Sequence, residues 1–322
     1  MNLQQLRYLN EIVRQGLKIS GAADTLFTSQ PGISKQIKQL EEELGIEIFV
    51  RNGKRIVAIT EPGKAVLDIA RRMLHDAENI KQVGQEFHSH DSGHLTIATT
   101  HTQARYALPL VVKQFIERYP KVKLGLHQGS PTQIAEQVLN GEADIGIATE
   151  SLSLYSDLVA LPGYEWHHCV ITPPRHPLLK EKTLTLEAIA RYPIITYDFA
   201  FTGRGKINEA FQNAGISPNI ALTAIDADVI KTYVELGLGI GILAHMSFIP
   251  ERDKHLRMLE AGHLFKPSTT RIAIRRNEYL RGYTYDFIEL FAPHLTREIV
   301  TRAMHLSNLP EQFDSRDKTR ME

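Results

Sequence analysis

The sequence predicts an α/β protein in two parts: an N-terminal winged helix-turn-helix with a long linker helix, and then a two-lobed α/β domain. Three observations predict it. The first sixty residues hold amphipathic helices followed by a short basic hairpin. The next thirty carry apolar residues at alternating four- and three-residue spacing. From His94 onward, strand-like and helix-like stretches alternate.

Leu6, Leu9, Val13 and Leu17 recur at helical spacing, which predicts a helix over Leu3–Gln15. A short helix is expected over Ser20–Leu26, with Ala22 and Ala23 small enough for close packing. A third helix starts near Gln30: Thr28 or Ser29 suits its N-cap, Pro31 fits a first turn, and Gly45 ends it. Ile33, Ile37, Leu40 and Leu44 form its buried face, while Gln30, Ser34 and Lys38 line a neighbouring face and Lys35 lies further round. Two strands are expected at Ile46–Phe49 and Ile56–Ile59, joined by Arg51-Asn52-Gly53-Lys54-Arg55 with Asn-Gly as the turn signal. Pro62-Gly63 opens a long helix. Its Val66, Ala70, Met73, Ala77 and Ile80 make a heptad seam of the kind that pairs with a second copy of the helix, or alternatively packs on its own domain. The polar stretch His88–Gly93 reads as a linker.

Beyond it, strands are expected at Leu95–Ala98, Val122–His127, Ala143–Ala148, Cys169–Thr172, Ile194–Tyr197 and Ile240–Ala244. The intervening helices are Gln103–Tyr119, Thr132–Leu139, Lys206–Ala214 and Asp228–Leu236. The expected parts are 1–60 (winged helix), 61–90 (linker helix and hinge), 91–300 (the α/β domain) and 301–322 (a polar tail that frays from about Ser307). Lobe I is set at about 91–162 with 268–300, and lobe II at about 163–267.

Composition narrows the class without naming it. Apolar residues make up 43% and charged residues 23%, and 37 Lys and Arg balance 37 Asp and Glu. Any affinity for nucleic acid must therefore be local. The single cysteine, Cys169, cannot form an internal disulfide, the start lacks a signal-peptide layout, and no apolar run spans a bilayer. A cytoplasmic protein with no membrane partner is expected.

Charge is indeed local. Between Ser29 and Leu40 there is no acidic residue, so a helix offering short polar and basic groups there can meet base edges and phosphates. The residues expected to face DNA are Thr28, Ser29, Gln30, Pro31, Ser34, Lys35 and Lys38, with Arg51 and Lys54 of the hairpin on the backbone or minor groove. In the α/β part, ligands sit beyond the carboxyl ends of strands. Thr99, Thr100 and Thr102, Gly129 and Ser130, Thr149, and Thr202-Gly203-Arg204 all fall at such turns. Each threonine alone reads equally as a helix cap, and that reading is preferred for Ser130. Trp166 reads either as a wall near the lobe junction or as core.

Enzymatic motifs are missing. Gly237-Leu238-Gly239-Ile240-Gly241 follows a helix and lacks dinucleotide-loop spacing, and neither G-x-S-x-G nor a phosphate loop occurs. His167-His168-Cys169 would alternate faces in a strand, which argues against a metal site. No catalytic residue, metal or cofactor is expected.

These residues carry a resemblance. Ser29-Gln30-Pro31, Ser34, Ile37, Leu40-Glu41, Leu44-Gly45, Ile48-Phe49, Arg51, and Thr60 with Gly63 resemble the N-terminal signature of the LysR-type transcriptional regulators. Thr99–Tyr106, His127–Ala135, Asp228–Tyr233 and Phe291–Thr296 resemble its CysB/Cbl branch, which activates genes of sulfur assimilation and cysteine synthesis. Trp166-His167-His168 leans to the Cbl side and Gln128–Pro131 to the CysB side. The resemblance implies an effector-binding domain of periplasmic-binding-protein type, in which Thr100, Thr102, Gln103, Thr149 and Thr202 line the anion and inducer site. It also implies a homodimer or homotetramer acting on promoter DNA and RNA polymerase. The implied effector is O-acetylserine or N-acetylserine, opposed by sulfide, thiosulfate, a sulfate-like anion or adenosine phosphosulfate. A regulator tuned to an unrelated small carboxylate, and a solute-binding protein using the α/β lobes alone, remain the alternatives.

Overall fold

The computed structural model describes residues 1–53, 55–88, 91–199, 201 and 203–305, with the backbone alone at 82, 85–88 and 150. The chain divides into two compact units, Met1–His88 and Ser89–Glu322.

The first unit holds α1 (Leu3–Arg14), α2 (Ile19–Thr25), α3 (Gln30–Leu44), the antiparallel hairpin β1 (Phe49–Asn52) with β2 (Arg55–Ile59), and α4 (Glu61–His88). Asn2 and Gln5 close a capping box on α1. The Ser29 hydroxyl accepts the Gly32 N–H on α3, and Gly45 ends that helix at φ 67. Leu6, Leu9, Ile12, Ile33, Ile37, Leu40 and Phe49 form the core, which Leu67 and Ala70 of α4 close.

The first strand starts later than the apolar run Ile46–Phe49 predicts. Ile48 is buried, but its N–H is taken by the Glu41 carboxylate (2.9 Å) and its carbonyl by the Thr60 N–H (3.0 Å), so it joins no ladder. Gly63 passes so close to that carbonyl that a Cβ there would stand 2.2 Å from the oxygen.

The second unit has two five-stranded sheets. Lobe I orders its strands β4-β3-β5-β12-β6: β3 (Ser92–Thr99), β4 (Lys121–Gln128) and β5 (Ile145–Ala148) are parallel, while β12 (Ser268–Arg275) runs antiparallel to both β5 and β6 (Leu158–Trp166). Lobe II orders β11-β7-β10-β8-β9, with β8 (Ile194–Tyr197), β9 (Ile220–Ala224) and β10 (Ile240–Ala244) parallel. In the same sheet β7 (His168–Thr172) is antiparallel to β10 and to β11 (Arg257–Glu260). Helices cover both faces of each sheet. Lobe I has α5 (Leu108–Arg118), α6 (Pro131–Leu139), α10 (Gly282–Phe291) and α11 (Arg297–His305), and lobe II has α7 (Leu186–Ala190), α8 (Arg204–Asn213) and α9 (Ala227–Glu235).

Three boundaries differ from the sequence reading. The helix expected over Gln103–Tyr119 opens as a π-turn over Gln103–Ala107 before α5 begins, because Pro109 in the first turn of α5 has no N–H to donate backward. Lobe I does not stop at 162: β6 runs on to Trp166, pairing Tyr164 with Thr270 and Trp166 with Ser268, so the chain crosses to lobe II at His167. This strand contains a bulge, in which Pro162 and Gly163 stand opposite Arg271. Finally, residues 301–305 are not tail: they complete α11, whose Val300, Ala303 and Met304 are buried. The stretch expected to fray from Ser307 lies outside the described residues.

Candidate functional site

In α3 the buried face is Ile33, Ile37 and Leu40, and Thr28, Ser29, Gln30, Pro31, Ser34, Lys35 and Lys38 are all exposed. The first turn has no acidic residue, so its free N–H groups and the positive end of the helix dipole face outward unopposed. Lys38 leans on Glu42 at 3.6 Å, an exposed pair that a phosphate can displace.

The Arg51 guanidinium is bidentate on Glu41, at 3.1 Å and 2.7 Å, and the same carboxylate accepts the Ile48 and Phe49 N–H groups. Arg51 thus ties the hairpin to α3 while its side chain stays 35% exposed. Lys54 lies outside the described residues.

The α4 seam also divides. Val66 and Ala70 pack on the winged-helix core, Ala70 being 1% exposed, so these two cover their own domain. Met73 and Ile80 are exposed, Ile80 by 73%, as is Ile69, and Ala77 is half-buried.

In the α/β unit, Thr100 and Thr149 follow the neighbouring parallel strands β3 and β5, and Thr102 and Gln103 sit at the π-turn that follows β3. Thr100, Thr102, Gln103 and Thr149 are all buried, and the Thr100 hydroxyl has no hydrogen-bond partner among the described residues. Thr202 lies outside the described residues. Gln103 is held from two sides: its Nε2 donates to Thr270 Oγ1 (3.0 Å) and its Oε1 accepts the Tyr164 hydroxyl (2.5 Å). The Gly129 N–H donates to the Thr99 carbonyl (3.1 Å). Ser130 caps α6 in a capping box with Gln133.

Lobe II meets this edge with the end of β8. The fully buried Tyr197 hydroxyl accepts the Ala244 N–H (3.2 Å). Burial pushes that hydroxyl up to about 12, against hydrogen bonds with Ala244, Thr102 and Ser247. A second polar link crosses the lobes nearby. The Tyr106 hydroxyl donates to Asp228 (2.6 Å) and Arg105 Nε to the same carboxylate (3.2 Å). Burial pushes the Tyr106 hydroxyl far up. Asp228 stays below the usual carboxylate range, because Tyr106, Lys231 and Arg105 outweigh the effect of its own burial.

His101, Asp226 and Asp228 have ligand-type atoms within 4.8 Å of one another. Both carboxylates are already engaged, Asp226 by the Val229 N–H at the start of α9 and Asp228 by Tyr106, Arg105 and Lys231. The group is therefore a lobe junction that carries cations of its own.

The sequence reading missed Tyr164, Tyr197, Thr270, Ser268 and His168. Tyr164 and Trp166 follow Pro162-Gly163, which reads as a turn, so β6 was not foreseen as a strand. His167 is the junction residue between β6 and β7, and along β7 Cys169 faces a different core cluster from Val170, as strand alternation requires.

A winged helix with an exposed polar helix face, on the same chain as two α/β lobes whose strand ends converge on buried hydroxyls, defines a ligand-responsive DNA-binding protein. Comparison with known proteins names the class. Residues 3–64 match the bacterial regulatory helix-turn-helix of the lysR family, and residues 88–296 match the LysR substrate binding domain. The chain belongs to the LysR family of transcriptional regulators: it binds promoter DNA and a small-molecule effector, self-associates, and is not an enzyme.

It is 58% identical to the transcriptional regulator SsuR of Burkholderia cenocepacia over 92% of this chain and 96% of that one. It is 53% identical to CysB of the same organism, over 94% and 97%. Among solved structures, the cofactor-binding domain of the Cbl transcriptional regulator is 48% identical with a TM-score of 0.65, covering 67% of this chain and 95% of that one. Among the described residues no helix is long and apolar enough to cross a membrane.

Proposed function

We propose that this regulator controls genes of sulfur assimilation and cysteine synthesis from the cytoplasm. Its effector is an acetylated serine, opposed by a sulfur anion or adenosine phosphosulfate, and it acts with RNA polymerase as a homotetramer built from dimers. The observation that carries the effector reading is the convergence of Thr100, Thr102, Gln103 and Thr149, all buried, at adjoining strand ends. Hydroxyls and N–H groups placed there bind an anion without a full positive charge. A ligand lying between two lobes favours one lobe angle, and that is how binding reaches the DNA-reading part. Thr28 to Lys38, just before and within α3, read the operator, with Gln30 and Ser34 on base edges.

The test is calorimetric titration of the full-length protein with O-acetylserine, N-acetylserine, sulfate, thiosulfate and adenosine phosphosulfate, beside footprinting on candidate promoters. Thr102→Val and Thr149→Val remove a hydroxyl and keep the shape. Each is expected to weaken effector binding by ~0.5–1.5 kcal/mol, the worth of one hydrogen bond, and to leave effector-free DNA binding intact. If both variants bind every one of these ligands as wild type does, the threonine site is wrong.

Dimerisation is assigned to the part of α4 beyond Ala70, through Met73, Ala77 and Ile80. Ile80→Glu is expected to yield monomers in sedimentation velocity with an unchanged α/β unit, since burying an unpaired carboxylate is costly. Ala70→Glu should instead melt the winged helix. An unchanged oligomer for Ile80→Glu would exclude this seam.

A further inference from the structure

Tyr106 belongs to lobe I by its place in the chain and to lobe II by its packing. Its side chain lies on the lobe II cluster that includes Ile171, Ile195, Tyr197, Ala224 and Ile230. The next two residues, Ala107 and Leu108, already lie in the core of lobe I. One peptide step therefore carries the chain from the core of one lobe to the core of the other.

The contact is polar as well as apolar. The Tyr106 hydroxyl donates to Asp228 Oδ1 (2.6 Å), in the first turn of α9, and Arg105 Nε donates to the other carboxylate oxygen (3.2 Å). Lys231, one turn further along α9, has its Nζ 3.4 Å from the same carboxylate and 5.0 Å from the centre of the Tyr106 ring. The ring thus meets a cation of lobe II while its hydroxyl bonds a carboxylate of lobe II. The Arg105 and Asp228 side chains are 48% and 39% exposed, so water screens that ion pair. The half-buried tyrosine is the stronger part of the link.

The same short segment serves the threonine turns. Thr102 and Gln103 open the π-turn in which Arg105 and Tyr106 lie. In an α-helix, residues three apart such as Gln103 and Tyr106 would share one face. The wider π-turn rotates them apart, and such turns are concentrated at functional sites. Gln103 accordingly turns back to Tyr164 and Thr270 of lobe I, while Tyr106 reaches across to lobe II.

We propose that Tyr106 is a positioning residue for the effector cleft: packed on lobe II and bonded to Asp228, it fixes the lobe angle at which the threonine turns face lobe II. It acts without touching the ligand. A ligand held between two lobes binds the closed arrangement, and its apparent affinity scales with the fraction of molecules that are closed. Tyr106 stabilises closure, so it strengthens every cleft ligand by one common factor, whatever the chemistry of that ligand. The inference rests on the effector cleft proposed above.

The test titrates full-length wild type, Tyr106→Phe, Asp228→Leu, these two combined, and Thr102→Val with two unlike probes, N-acetylserine and inorganic sulfate. Tyr106→Phe keeps the ring and removes only the hydroxyl. It is expected to weaken both probes by the same factor, about fivefold, and Asp228→Leu should weaken them at least as much. With leucine at 228, Tyr106→Phe should cost nothing further, because the two side chains act through one bond. Asp228→Asn, which keeps an oxygen for the hydroxyl, should retain more affinity than Asp228→Leu. Wild-type affinities in Tyr106→Phe, with Thr102→Val impaired, would overturn the positioning role and spare the cleft, whether or not the melting temperature falls. A loss for one probe alone would make Tyr106 a ligand contact and would also overturn it. Equal losses in Tyr106→Phe beside an unimpaired Thr102→Val would keep the closing role and displace the threonines instead. A wild-type protein that binds neither probe would remove the cleft reading and this role together.

Discussion

Glu41→Ala is expected to unfold the winged helix at temperatures where the α/β unit remains intact. One carboxylate, 8% exposed, accepts the Ile48 and Phe49 N–H groups and both arms of Arg51. Its removal strands two buried donors and a partly buried guanidinium at once. Breaking a buried pair from one side costs about 3–5 kcal/mol, much of the ~5–15 kcal/mol that holds a typical domain. Calorimetry of the full-length variant should show the winged-helix transition lowered and the α/β transition unmoved, with promoter binding lost. Glu41→Gln, which keeps an acceptor for the backbone, should lose less. Two unchanged transitions would show that the Arg51–Glu41 tie carries no stability.

Asp253→Ala is expected to have the largest effect in lobe II. Lys231 Nζ, nearly buried, donates to the Ser247 carbonyl (2.8 Å) and to Asp253 (3.2 Å), with Asp228 at 3.4 Å. Asp253 also accepts the Ile249 N–H (2.7 Å). Without Asp253 the ammonium keeps Asp228 as its only carboxylate, and a loss of about 3–5 kcal/mol follows. Lys231→Met combined with Asp253→Ala should cost less than the sum of the single changes, because the second substitution removes the charge that the first left stranded. Additive losses in chemical denaturation would rule out the pair as a coupled unit. Asp228 also receives Tyr106 and Arg105 from lobe I, so the single variant should shift effector affinity as well, by drawing Asp228 towards Lys231.

The parts that sequence alone made legible are those set by local chemistry. Ser29, Pro31 and Gly45 mark both ends of α3 by cap and turn preferences that need no tertiary contact, and the parallel strands of both lobes announce themselves as short apolar runs. What stayed hidden depends on partners distant in sequence. Nothing local reveals that Arg51 meets Glu41, that the Gly129 N–H is already taken by Thr99, or that Ala70 turns to the winged helix while Ile80 stays exposed. His168 looked like an ordinary strand residue, and only its tertiary surroundings leave it without a partner. The threonine turns could be placed by the rule of strand ends, but their clamps, Tyr164 and Thr270, come from a strand pair that Pro162-Gly163 disguised.

That disguise has a consequence of its own. Along β6, Val159 and Leu161 pair with Ile274 and Ile272 on the core face, and then Tyr164 and Trp166 pair with Thr270 and Ser268 on the same face. The parity changes from odd to even at the bulge. One supernumerary residue lets a single face carry aliphatic core at one end and the cleft's polar aromatics at the other. Deleting Gly163 would leave a regular ladder with Tyr164 and Trp166 still opposite Thr270 and Ser268, whereas drawing Gly163 into the ladder in place of the bulge would turn both to the opposite side of the sheet and release Gln103. At this position the bulge itself is as much a determinant of the cleft as the identity of any one residue.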